Sequence, residues 1–173
     1  IGLIKENYQR NLFFITYILL AISFSIFWFF FPHVSLLIFL IFSVFHFGSS
    51  DHIFFLDKKI KFAEIILRGS IPIIIPVIFH KEDVFEIFRL LFIENLFLEN
   101  IFPIFYYYNF LLVLLFFSIL FFLLTENKIT IQKKLIFLTE IFFMVFCFIL
   151  FEPLISFSLY FCFLHSIRHL INE

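Results

Sequence analysis

Residues 11–31 read NLFFITYILLAISFSIFWFFF, a run of 21 residues without a charged side chain. An α-helix rises about 1.5 Å per residue, so about 20 apolar residues are enough to cross the hydrocarbon core of a bilayer. Pro32 follows directly and is expected to end such a helix. This stretch therefore predicts a membrane-spanning helix and sets the expectation for the rest of the chain.

The composition of the whole chain points in the same direction. Hydrophobic residues make up 64% of it, charged residues 14%, and the mean hydropathy is +1.14. Soluble domains are usually about 45–50% apolar and about 25% charged. The chain is therefore predicted to be a polytopic membrane protein whose surroundings are the lipid bilayer. Its net charge of −1 argues against a nucleic-acid partner.

Phenylalanine and cysteine usage each allow a simple explanation. Phe accounts for 35 of the 173 residues, which fits the codon bias of an AT-rich genome and is also compatible with a Phe-lined pocket for a long apolar ligand. Cys147 and Cys162 both lie in apolar runs. We interpret them as buried small hydrophobic residues rather than a disulfide framework.

Further apolar runs, separated by charged punctuation, extend this pattern along the chain. Spans are predicted at 34–56, 60–79, 103–124, 135–151 and 154–170. Gly69, Pro72 and Pro76 are expected to kink the third span. Residues 84–97 place apolar side chains at helical spacing between charged ones, which predicts an amphipathic helix on the membrane surface. The predicted fold class is all-α: a transmembrane helical bundle of about six spans forming a single domain over residues 1–173.

The basic residues predict how this bundle is oriented. With six spans, the N-terminus, the loop at 57–61 and the loop at 126–134 share one side of the membrane. Eight of the Lys and Arg residues that flank the spans belong to that side, against Lys81 and Arg89 on the other. The positive-inside rule makes the first side cytoplasmic and predicts a multi-pass protein of the cell (inner) membrane.

Two histidines stand out in the last apolar run, SLYFCFLHSIRHL. His165 and His169 are four residues apart, so on an α-helix they share a face, together with Ser158 and Cys162. Ionisable side chains within spans often mark functional sites, and neutral imidazoles suit Fe, Cu, Zn and Ni. Metal ligation and a structural role in bonding to neighbouring helices are equally good interpretations of this pair alone.

A third histidine, His46, lies in the second span within FHFGSSD. Its position, about 16 Å from the cytoplasmic end at 1.5 Å per residue, matches the cytoplasmic half of the last span, where His165 and His169 lie. The two spans must be neighbours for these side chains to meet. Gly48 indicates close approach of a neighbouring helix or a ligand.

Two carboxylates are candidates for orienting a ligand imidazole from behind, because metal-bound histidines usually donate their second N–H to such a group. They are Asp51, next to the HFG segment, and Glu140, inside the fifth span. For Glu140 a plain interhelical hydrogen bond is an equal alternative. Glu64 and Arg68 are expected to pair with each other, being four apart on one helix.

Three segments then resemble one known family. FHFGSSD, LRGSIPIIIPVIFHKEDVFEIF and LYFCFLHSIRHL are similar to segments of the Brp/Blh-type membrane β-carotene 15,15′-dioxygenases, in that family's order and at compatible separations. The similarity covers about residues 44–170. It implies an all-helical, non-haem Fe(II) oxidoreductase that uses O2 to cleave the central double bond of β-carotene into two retinal molecules, which a rhodopsin could receive.

The resemblance also implies a set of metal ligands. The family is understood to hold iron with four histidines, three of which correspond here to His46, His165 and His169. Apart from these metal ligands, the resemblance implies no catalytic residue: no side chain is expected to act as an acid, a base or a nucleophile. The fourth histidine belongs to an HG motif upstream, and His33 does not match it because no glycine follows. We therefore expect the sequence to be a fragment, incomplete at both ends.

Three other functions stay open at this point. A bis-histidine haem b electron carrier needs one histidine on each of two helices, which His46 and His165 could supply. A membrane di-iron desaturase or hydroxylase needs about eight clustered histidines, whereas this chain has six. A transporter or structural membrane protein could carry the same histidines incidentally.

Overall fold

A computed structural model describes residues 2–51, 58–126 and 129–166 of the chain. The described residues form helices and no strand, which confirms the all-α prediction. The helices are α1 (Gly2–Phe30), α2 (Pro32–Asp51), α3 (Lys58–Phe79), α4 (Lys81–Leu90), α5 (Asn95–Thr125), α6 (Ile131–Leu150) and α7 (Pro153–Leu159). A π-helical segment, Tyr160–His165, continues α7.

Proline marks helix starts more than breaks in this chain. Pro32 and Pro153 occupy the first positions of α2 and α7, where the missing N–H costs nothing. Pro72 and Pro76, by contrast, lie inside α3, which runs on through them as one helix. Membrane helices tolerate this because neighbouring helices compensate for the freed backbone carbonyls.

Four of the described helices are long and apolar enough to cross a membrane. They are Leu12–Phe30, Pro32–Asp51, Ile60–Phe79 and Asn95–Thr125. These four support the first four predicted spans. α6 has a span's length but carries Lys133, Lys134 and Glu140, and the last apolar helix covers only Pro153–Leu164 within the described residues. The fifth and sixth spans stay predictions.

The amphipathic helix is real, but its predicted extent of 84–97 is wrong. α4 covers Lys81–Leu90 and buries Val84 and Phe85. It ends because Phe92 adopts a left-handed φ of 65° and its N–H donates to the carbonyl of Arg89, while Ile93 N–H donates to Phe88. This is a Schellman ending, which normally has glycine at the left-handed position. Because the sequence has no glycine here to indicate a helix end, the helical spacing of apolar residues placed the predicted end at residue 97, later than Leu90.

The Cα packing of the chain forms two compact units, Ile1–Phe39 and Leu40–Glu173. In the first unit most of the large apolar side chains between residues 12 and 30 of α1 are exposed, as suits a helix that faces lipid. Aromatic rings along it pair edge to face, as Phe24 does with Trp28 at 6.0 Å between ring centroids. The candidate ligands and their surroundings all belong to the second unit.

Helix α3 is the centre of the second unit and packs against α4, α5 and α6. Its contact with α2 depends on glycine. A Cβ atom added to Gly48 would overlap the backbone carbonyl of Ile65, and one added to Gly69 would overlap that of Val44. The expectation that Gly48 permits a close helix approach is therefore confirmed, and a second glycine across the crossing serves the same purpose.

The start of α4 is held at one end of this bundle. His80 contacts the carbonyl of Ile149 at 3.1 Å through Nε2, and the Lys81 ammonium lies 4.6 Å from the ring centre of Phe102 and 3.3 Å from a carboxylate oxygen of Glu99. The His80 contact brings the C-terminal ends of α3 and α6 together. Their shared direction is the one that the predicted topology requires.

Candidate functional site

His46 lies on α2, five residues before Asp51, the last residue of that helix. Its side chain is exposed, and its ring packs edge-on against Phe47 at 5.6 Å between centroids. Phe47 points the other way and is buried. Adjacent residues on a helix are about 100° apart, so the imidazole and the phenyl ring occupy different faces of α2.

Phe47 connects α2 with the C-terminal helix. Its ring makes edge-to-face contacts with Phe157, Tyr160 and Phe161, at centroid distances of 5.8, 5.8 and 5.5 Å. Aromatic pairs in this geometry add about 0.5–1.5 kcal/mol each beyond the area they bury. The segment FHFGSSD therefore packs directly against LYFCFLH, and the condition that the two histidine-bearing spans be neighbours is met.

Asp51 and Tyr160 form a hydrogen bond across the same interface, in which the Tyr160 hydroxyl donates to the Asp51 carboxylate. Both residues are buried, each with 2% of its surface exposed. A role for Asp51 behind a ligand imidazole stays a prediction. In the structure, the carboxylate accepts a hydrogen bond from Tyr160, the first residue of the π-helical segment.

His165 is the last residue of that π-helical segment, Tyr160–His165. The wider turn is visible in Ser166, whose backbone N–H donates to the carbonyl of Phe161 five residues back. Ser158 and Cys162, expected on the same face as the histidines, are both exposed. The interpretation of Cys162 as a buried residue is therefore wrong, whereas Cys147 is buried as expected. The side-chain position of His165 is not described, and His169 lies outside the described residues.

Within residues 2–51, 58–126 and 129–166, no three histidine, cysteine, aspartate or glutamate side chains come together as a metal-binding group. The helices that carry His46 and His165 are nevertheless in contact, through Phe47 and Phe161. The proposed ligand set of His46, His165 and His169 stays a prediction.

Glu140 takes part in an ionic cluster with Glu64 and Arg68, and its role behind a ligand imidazole stays a prediction. Arg68 Nε lies 2.8 Å from Glu64 Oε1, which confirms the predicted pairing within α3. Arg68 Nη1 also donates to Glu140 Oε2 at 3.0 Å, and its guanidinium carbon lies 5.0 Å from the ring centre of Phe137. Two carboxylates thus share one guanidinium, and the plain interhelical hydrogen bond that was the alternative for Glu140 is present.

A cavity of about 450 Å³ lies between α3, α5 and α6. Its described lining is apolar apart from Asn109 and includes Leu67 and Ile71 of α3. These two residues are each two positions from Gly69, hence about 200° away from it around the helix. The cavity therefore lies across α3 from the crossing with α2, and we do not assign it to the candidate site.

Sequence reasoning missed Phe47, Tyr160 and the link from Arg68 to Glu140. Tyr160 had a usable signal, because a tyrosine in an apolar run needs a partner for its hydroxyl group. Phe47 had none, since it is one of 35 phenylalanines. Arg68 was recognised only in relation to its neighbour on the same helix.

Comparison with known proteins gives two matches. The family model described as Beta-carotene 15,15'-dioxygenase matches residues 4–173. A curated protein named Beta-carotene 15,15'-dioxygenase, from Uncultured marine bacterium 66A03, is 32% identical over 154 residues, which is 88% of this chain and 52% of that protein. The chain thus spans about half the length of this relative. No solved structure matches the chain.

Proposed function

The chain belongs to the β-carotene 15,15′-dioxygenase family, and from this premise we propose that the gene product carrying it cleaves β-carotene with O2 at the central double bond. Two molecules of retinal are the products. The observation that supports this most is the packing of FHFGSSD against LYFCFLH through Phe47, Tyr160 and Asp51. This contact places the two histidine-bearing family segments side by side in the bundle.

We propose Fe(II) as the metal and His46, His165 and His169 as the ligands that this chain contributes. The donor chemistry fits, because neutral imidazole binds iron well and leaves the charge of the metal uncompensated for anionic or oxygen ligands. The helix contacts also fit, because Phe47, next to His46 on α2, packs against the helix that leads to His165. When bound, Fe(II) would supply the electrons that allow O2 to react with an alkene.

The residues of the chain itself have other tasks in this proposal. Apolar helices that expose Phe, Leu and Ile side chains let a carotenoid reach the protein from the bilayer in which it dissolves. The aromatic cluster around Phe47 excludes water from the interface beside His46. No side chain is required to carry a proton, since the carotenoid and retinal differ only by the bond broken and the two oxygen atoms gained.

The site is proposed to lie in the cytoplasmic half of the cell membrane, since the loops that flank it are the more basic ones. Retinal released there enters the bilayer, from which a rhodopsin could take it up. Both statements follow from the charge distribution and from the chemistry of an apolar product.

Expression of the gene product in β-carotene-producing cells tests the proposal. Retinal is measured by chromatography, with His46→Ala, His165→Ala and His169→Ala as variants and His80→Gln as the matched control. His80 contacts a backbone carbonyl at another end of the bundle, and glutamine keeps a donor there. We expect retinal from the wild type and the control and loss of at least about tenfold in the three alanine variants.

The same purified protein separates this proposal from the alternatives. Bound iron without a Soret band agrees with a non-haem oxygenase, whereas a Soret band would support a haem carrier. Absence of retinal from wild-type cells that contain folded protein would refute the activity. Unchanged retinal in one alanine variant would remove that histidine from the ligand set.

A further inference from the structure

The hydrogen bond between Tyr160 and Asp51 is unusual for its surroundings. Both side chains are buried, and the Tyr160 ring packs against the rings of Phe47, Phe148 and Phe157. A hydroxyl or carboxylate moved into apolar surroundings costs several kcal/mol unless a partner compensates it. The two groups compensate each other, and each therefore constrains where the other can lie.

Asp51 and Tyr160 each lie close in sequence to one of the proposed histidine ligands. Asp51 follows His46 by five residues on α2, and Tyr160 precedes His165 by five residues. Helical backbone is stiff over such short distances. A bond between Asp51 and Tyr160 therefore restrains the relative rotation and translation of the two segments that carry the histidines.

The backbone that follows Tyr160 makes such a restraint useful. Tyr160–His165 is π-helical, a geometry that is rare, is mostly confined to single turns and is frequent at functional sites. A π-helical turn contains more residues than an α-helical turn. The side chains that follow it therefore leave the helix in different directions from those they would have in a regular α-helix. The backbone position of residue 165 around the helix axis thus depends on where the π-helical segment begins, which is at Tyr160.

We propose that Tyr160 and Asp51 are positioning residues that set the location of His165 relative to His46. The proposal rests on the proposed iron site and deepens it. Neither residue touches substrate or metal in this role. The Tyr160 hydroxyl holds the Asp51 carboxylate, and the helices transmit this restraint to the two imidazoles.

Cobalt(II) binding to the purified, metal-free gene product is the test, because imidazole sites take up cobalt and its visible absorption reports ligand geometry. Tyr160→Phe keeps the ring and its aromatic contacts but removes the hydroxyl. The matched control is Tyr108→Phe, which removes a tyrosine hydrogen bond to Ser70, 3.0 Å long, elsewhere in the bundle. We expect Tyr160→Phe to weaken cobalt binding about tenfold and to shift its spectrum, and Tyr108→Phe to change neither.

Two substitutions of Asp51 separate positioning from direct contact with an imidazole. Asp51→Asn keeps an oxygen that accepts the Tyr160 hydroxyl, whereas Asp51→Leu removes it. Positioning predicts that Asp51→Asn retains most of the cobalt affinity and that Asp51→Leu loses it about as Tyr160→Phe does. Equal losses in Asp51→Asn and Asp51→Leu, with a silent Tyr160→Phe, would overturn the proposal in favour of a carboxylate that bonds a ligand directly.

The remaining outcomes are equally decisive. If Tyr160→Phe binds cobalt with the wild-type affinity and spectrum, the hydrogen bond does not position the site. If Tyr108→Phe weakens binding as much as Tyr160→Phe, the effect is a general loss of packing and the proposal fails. Absence of cobalt binding in the wild type would show that the metal site itself is wrong, a failure that is visible without any variant.

Discussion

Replacement of Arg68 by methionine is expected to destabilise the bundle strongly. The guanidinium is shared between Glu64 at 2.8 Å and Glu140 at 3.0 Å, and the side chains of Arg68 and Glu64 are both fully buried. Methionine fills much of the same volume but leaves the two carboxylates without this cation. Removal of one partner from a buried ion pair costs about 3–5 kcal/mol, and we expect a loss of this size in the free energy of unfolding.

The other members of the cluster should cost less. Glu140 is 23% exposed at its side chain, and in Glu140→Gln the amide oxygen still accepts from Arg68. Exchange of a charged for a neutral acceptor is worth about 1 kcal/mol. The double variant with Glu64→Gln and Arg68→Met removes the uncompensated charge inside α3, so it should recover at least about 1.5 kcal/mol relative to Arg68→Met alone.

Equilibrium unfolding in mixed detergent micelles, followed by circular dichroism, measures these differences. The matched control is Glu99→Gln, because its ion pair with Lys81, 3.3 Å long, lies at the surface and is expected to contribute less than about 1 kcal/mol. A free energy of unfolding for Arg68→Met within about 1 kcal/mol of the wild type would refute the reasoning. Strict additivity of Glu64→Gln and Arg68→Met would refute the claimed coupling.

Three further perturbations have defined outcomes. Gly48→Ala should lower the free energy of unfolding by about 1–3 kcal/mol or more, because the added methyl group overlaps the carbonyl of Ile65. Ser49→Ala, at an exposed position on the same helix, should change this free energy little. Equal effects of the two substitutions would contradict the close helix crossing. Phe92→Gly should leave the free energy of unfolding unchanged or raise it by up to about 1 kcal/mol, because φ is 65° at this residue. Leu91→Gly, at a φ of −93°, should lower the free energy of unfolding. A marked loss of stability in Phe92→Gly would argue against a strained turn. Treatment of the purified protein with an iron chelator should abolish retinal formation, and added Fe(II) should restore it; activity that survives complete removal of iron would exclude the proposed centre.

Prediction from the sequence succeeded where the physical cause is local. The first four spans follow from long apolar runs with few charged residues, and the Glu64–Arg68 pair follows from a spacing of four residues on one helix. The glycine crossing was foreseen from Gly48, since a missing side chain is a property of the sequence itself. The family was recognised because whole segments match, and that recognition is confirmed over residues 4–173.

Prediction failed where the structure departs from a regular helix. The end of α4 uses a left-handed phenylalanine in place of the expected glycine, so the predicted helix ran seven residues too far. The π-helical segment that ends at His165 departs from the regular helix on which the face assignments were based. The periodicity of apolar residues in the sequence records neither departure.

The amino-acid sequence is sufficient to identify a helical membrane protein of the β-carotene dioxygenase family and the histidines that are candidates for its metal. The contacts between helices are visible only in the folded chain: Asp51 with Tyr160, Arg68 with Glu140, and Phe47 with the C-terminal helix. The cause is the solvent that surrounds the helices. In lipid both faces of a helix can be apolar, so the pattern of hydrophobic residues does not mark the buried face, and pairing depends on side-chain contacts between helices far apart in sequence.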